Sequence, residues 1–111
     1  MNILKITESY FHFFKTKNIE ELKSLFSKDI ILKDWEVEER GFLNVVKKNI
    51  EILNNLGNFD LSVNEISADY EKNITFAEIL IKLSDDEEIN VLDKISFDSN
   101  HKIKSITAFK G

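Results

Sequence analysis

Two periodicities divide the chain. Ile3, Ile6, Tyr10, Phe13 and Phe14 recur at helical spacing, with Leu4 and Phe11 widening the stripe, which predicts an amphipathic first helix. Thr16-Lys17-Asn18 interrupts it. Asn18 with Glu21 three residues on has the form of a capping box, and Ile19, Leu22, Leu25 and Phe26 line one face of a short second helix. Ile30 to Trp35 is too short and too β-branched for a helix and predicts a strand. Glu36 to Arg40 reads as an acidic loop ending in Arg40-Gly41. A third helix follows with Phe42, Val46, Ile50, Leu53 and Leu56 on one side, closed by Gly57 at a position suited to positive φ. From residue 58 the period becomes two. Phe59, Leu61 and Val63 alternate with polar residues, as do Ala77, Ile79, Ile81 and Leu83, and then Ile89, Val91, Ile95 and Phe97. Asp85 to Glu88 forms a polar hairpin tip, and Ile103 to Phe109 closes the chain. Helices first and a meander afterwards predict an α+β fold, three helices packed on one face of a curved, mainly antiparallel sheet.

Composition narrows the function. The length of 111 residues suits a single domain, residues 1–111, with one core. A net charge of −5 argues against a phosphate backbone as partner, so no nucleic-acid binding is expected. The chain has no cysteine, which removes disulfides, thiolate metal sites and thiol nucleophiles. No apolar run approaches membrane-span length and the first residues do not form a signal-peptide pattern, so a cytoplasmic protein without membrane contact is expected.

Phosphate loops, nucleophile elbows and zinc-binding helices are absent from the sequence. His12 and His101 lie in different elements with no paired spacing, so no metal site is expected. Asp93 is more informative. It shares parity with Ile89, Val91, Ile95 and Phe97, so its carboxyl points where apolar side chains point. Lost hydration there favours the neutral acid, which suits either a functional carboxyl or a structural one bonded to a helix end or hydroxyl. Asp34 shares parity with Ile30 and Leu32 at a strand end, beside Trp35, and is either an exposed strand-end residue or a second inward carboxylate. Tyr10 lies on the apolar stripe of the first helix, where a buried hydroxyl needs a partner.

The element order resembles the cone-shaped roll shared by nuclear transport factor 2, SnoaL-like cyclases, limonene-epoxide hydrolase and ketosteroid isomerase. The resemblance spans the chain through the segment from Tyr10 to Phe26, the run from Phe26 to Asp34, Arg40-Gly41, Asp93-Lys-Ile-Ser-Phe97 and the closing Lys102 to Phe109. The spacing of Tyr10, Asp34 and Asp93 is most similar to ketosteroid isomerase, which uses a general-base Asp and an oxyanion hole of Tyr and protonated Asp. The resemblance implies that Asp34 takes a proton next to a carbonyl. Tyr10 and neutral Asp93 would donate to the developing enolate oxygen, with no cofactor. It further implies a pocket walled by Trp35, Phe13, Phe14 and Phe109. Trp35 stands where the isomerase has proline, and the Asp34–Gly41 loop is shorter, which argues against a steroid. The only arginine, Arg40, lies in a loop, which disfavours the Asp-Arg-Asp chemistry of limonene-epoxide hydrolase. Asp34-Trp35 and the closing Ala108-Phe-Lys-Gly111 look most like small bacterial members, some associated with surface-polysaccharide genes.

Two readings follow: a cofactor-free isomerase or cyclase acting on a small apolar or carbonyl-containing molecule, and a non-catalytic ligand- or partner-binding domain. A homodimer is also expected. Leu80, and Leu92 with Ile106 and Ala108 at a parity opposite Asp93 and Phe109, give the sheet a second apolar face that the helices leave uncovered.

Overall fold

Asn2 opens helix α1 (Ile3–Lys15), its side chain accepting from the Leu4 amide at 2.8 Å. A computed structural model of the chain describes residues 2–111. The α1 stripe buries Ile3, Ile6, Tyr10, Phe11 and Phe14, whereas Phe13 is only partly buried. Asn18 caps α2 (Ile19–Lys23) through the Glu21 amide. This helix is shorter than its apolar pattern implies. Phe26 belongs instead to strand β1 (Phe26–Lys33), whose pairing shifts register between Phe26 and Ile31. The irregularity hides the strand's start, because Ser27-Lys28-Asp29 reads as a turn.

The expected acidic loop contains a strand, β2 (Glu38–Arg40), antiparallel to Ile31–Lys33 of β1. It is an edge strand made only of charged residues, a composition that deters edge-to-edge pairing and carries no apolar signal. Gly41, at φ 91°, turns the chain into α3 (Phe42–Leu56). That helix buries Val45, Asn49 and Leu53, whereas Ile50 is 40% exposed, so the inward stripe is rotated from the expected one.

Strands β3 (Phe59–Asp69), β4 (Ile74–Leu83), β5 (Glu88–Phe97) and β6 (Ile103–Lys110) complete a six-stranded sheet in the order β2-β1-β6-β5-β4-β3. All neighbours are antiparallel except β1 and β6. The fold is α+β, an open mixed sheet with three helices. One buried polar link ties helix to sheet. The Thr7 hydroxyl donates to the Ile3 carbonyl at 2.9 Å, which uses its single proton, so Thr75 is the donor in their 2.7 Å contact.

The faces of β6 differ from expectation. Register shifts between Ser96 and Phe97, which pair with Ser105 and Ile103, so Lys104 is an extra residue on β6. A bulge reverses parity beyond it. Ile106 and Ala108 therefore face inward with Asp93. Phe109, 54% exposed, pairs with Leu92 on the outer face.

Candidate functional site

Helices α1 and α3 and the inner face of the sheet line a cavity of about 140 Å³. Tyr10, Asp34 and Asp93 all line it, together with Trp35 and Phe14. Phe13 and Phe109 do not: Phe13 packs at the edge of the core, and the β6 bulge turns Phe109 outward. Phe11 and Ala108 occupy the wall instead.

Asp93 lies midway along β5, directly between Ala77 of β4 and Ala108 of β6. On the β6 side the small Ala108 shares the cavity wall with the carboxyl. The residue is only 6% exposed. Burial, and secondarily the charge of Asp34, push its pKa from 3.8 up to about 7. Near neutral pH the two protonation states are then comparably populated, so the carboxyl is half neutral there and fully a donor only in more acidic solution.

Tyr10 is held by aromatic packing. Its ring lies edge-on to Phe11 at 5.0 Å and contacts Phe14 at 6.2 Å and Phe26 at 6.5 Å. Burial, then the neighbouring Asp93, raise its pKa further above the ordinary tyrosine value, so the hydroxyl stays protonated. Ser27 Oγ is the one fully enclosed side-chain polar atom without a partner among the described residues. The Tyr10 hydroxyl and Asp93 carboxyl also lack partners among the described residues, and both residues line the cavity.

Asp34 follows the last residue of β1 and begins the turn to β2. Its Oδ1 accepts from the Glu36 amide at 2.8 Å and the Val37 amide at 2.7 Å, and its own amide donates to the Val37 carbonyl at 2.9 Å. This turn fixes the carboxylate and leaves Oδ2 without a partner among the described residues. Trp35 is 46% exposed, with Lys110 Nζ 5.8 Å from its ring centroid. It forms part of the rim rather than a plug. Asp34, Ile52, Leu56, Ile89 and Ala108 are the other partly exposed lining residues and mark the mouth.

One polar lining residue escapes the sequence reading: Asn49 of α3, 2% exposed. The signal was its place between Val45 and Leu53 at four-residue spacing, masked because a polar residue interrupts an apolar stripe. Both histidines lie outside the cavity. No cluster of three or more metal-ligating side chains lies among the described residues. No helix among them is long and apolar enough to cross a membrane.

Neither a family model nor a curated protein matches the sequence. Solved structures do. A proposed ketosteroid isomerase from Kribbella flavida superposes with a TM-score of 0.85 at 17% identity, over 96% of this chain and 76% of that one. An NTF2-like protein of unknown function from Cytophaga hutchinsonii gives 0.83 at 11% identity, over 100% and 91%. A proposed SnoaL-like isomerase from Agrobacterium tumefaciens gives 0.82 at 12% identity, over 97% and 96%. With helices, sheet and cavity all accounted for, the chain has the cone-shaped fold of the NTF2-like and SnoaL-like proteins.

Proposed function

We propose that the protein is a cofactor-free, ketosteroid-isomerase-like enzyme that moves a proton next to the carbonyl of a small molecule. The observation that carries this reading is the convergence of one hydrogen-bonded carboxylate, one buried tyrosine and one carboxyl of raised pKa on a single apolar cavity. Bound with its carbonyl oxygen between Tyr10 and neutral Asp93, a substrate gains two donors at the atom where negative charge develops. Asp34 Oδ2 removes the α-proton and returns it to the γ-carbon of the resulting dienolate, so a β,γ-enone becomes an α,β-enone with no net change in atoms. A cavity near 140 Å³ is about the size that admits benzene and lies below the ~300 Å³ at which drug-sized pockets begin. A monocyclic ketone fits this size and a steroid does not. Conversion of cyclohex-3-enone to its conjugated isomer, followed by ultraviolet absorbance, tests the reading. Turnover should require Asp34, and an Asp34→Asn variant that binds but does not turn over supports it.

A second reading is a non-catalytic binding domain, for a small ligand or for a partner in surface-polysaccharide metabolism. It is favoured by the two backbone hydrogen bonds on Asp34 Oδ1, which suit a purely structural turn carboxylate. Under it, Asp34→Asn changes affinity and fold stability only. We further propose a cytoplasmic homodimer through the outer sheet face, where Phe76, Leu92 and Phe109 are 38%, 42% and 54% exposed. Sedimentation as a monomer throughout the micromolar range would remove the dimer.

A further inference from the structure

Asn49 is a buried amide whose two ends have different fates. Its Nδ2 donates to the Val45 carbonyl at 2.9 Å. A carbonyl only accepts, so the nitrogen must lie on that side and the amide cannot be reversed. Oδ1 has no partner among the described residues, yet it is not among the fully enclosed polar atoms. The residue borders two spaces. The gap toward Ile19, Leu22 and Phe26 has no room for a water, whereas the cavity of about 140 Å³ does. The accessible oxygen therefore faces the cavity.

We propose that Asn49 determines ligand specificity, its Oδ1 accepting a hydrogen bond from a hydroxyl or N–H group on the ligand. This rests on the same cavity as the proton-transfer reading and adds the substrate class: a one-ring carbonyl compound that also carries a hydrogen-bond donor. The rest of the wall explains why one amide suffices. Apart from Asn49 itself and Tyr10, Asp34 and Asp93, the lining side chains are aliphatic or aromatic. Before a ligand binds, water can serve Oδ1. A ligand that displaces this water without offering a donor strands a buried acceptor, and one that offers a donor does not. Asn49 is thus a filter against purely apolar rings of the right size.

Phenol and its three ring-hydroxylated derivatives, catechol, resorcinol and hydroquinone, make suitable probes. They share one ring; with the first hydroxyl oxygen in the carbonyl's place between Tyr10 and Asp93, only the diols offer Asn49 a second donor, at three separations. Binding is read from the fluorescence of Trp35, the only tryptophan, which lies on the cavity rim. At least one diol should bind the wild-type protein roughly tenfold more tightly than phenol. Asn49→Leu, close in volume, should abolish that preference while changing phenol affinity less than diol affinity. Asn49→Ala serves as a second variant without risk of overpacking, and circular dichroism checks the fold of both. No diol preference in the wild-type protein, or a preference that survives in a folded Asn49 variant, overturns the proposal. The two readings separate cleanly. A diol preference that depends on Asn49, without turnover of any ketone, keeps this role and sinks proton transfer. Turnover without the preference does the reverse.

Discussion

Replacing Asp93 by Asn should make the protein more stable, by an amount that depends on pH. The folded-state pKa of about 7 stands above the ordinary 3.8. Below 3.8 both folded and unfolded chains hold the proton, and the group is indifferent to pH. Between 3.8 and about 7 the unfolded chain releases the proton while the folded one keeps it, so stability falls as pH rises. Above about 7 both are ionised and the loss is complete. At ~1.4 kcal/mol for each pH unit, the whole window amounts to about 4 kcal/mol. Asn has nearly the same shape and no proton to lose. Urea denaturation of both proteins at a series of pH values from acidic to mildly alkaline isolates the effect, because the other titrating groups are common to both. The variant's advantage should grow across the window and level off above about pH 7. A difference that stays flat with pH, or a variant that loses several kcal/mol near pH 7 as a broken buried ion pair does, would refute a carboxyl held toward its neutral form by burial.

Tyr10→Phe removes a buried hydroxyl that bonds to nothing among the described residues, so urea denaturation should find it within about 1 kcal/mol of wild type or more stable. A larger loss would make the hydroxyl structural. Thr7→Val strands the Thr75 hydroxyl and should cost about 1–3 kcal/mol. The Thr7→Val/Thr75→Val double variant should recover part of that cost in a double-mutant cycle, and strict additivity would contradict the pairing.

The parts legible in the sequence are those where one periodicity runs unbroken. The inward parity of Asp93 is one, because β5 alternates without interruption from Glu88 to Phe97. The α1 stripe that buries Tyr10 is another. Legibility failed at irregularities. The extra residue at Lys104 reversed the faces of β6, exchanging Phe109 for Ala108 in the wall, and the register shift in β1 concealed its first residues. Strand β2 carries no apolar residue to announce it. Asn49 was hidden by its polarity: a polar residue on a buried face looks like the exposed side of a helix. The hydrogen bonds on Asp34 Oδ1 depend on turn geometry that spacing alone does not specify.

The central claim is that Asp34 removes a proton from carbon beside a carbonyl held by Tyr10 and Asp93. Proton nuclear magnetic resonance of cyclohexanone in deuterated buffer measures that step alone, without requiring a natural substrate or a completed isomerisation. The wild-type protein should accelerate loss of the α-proton signals over buffer, and Asp34→Asn should reduce the acceleration by roughly a hundredfold or more, the usual contribution of a positioned general base. No acceleration by the wild-type protein, or the same acceleration with Asp34→Asn, would contradict it.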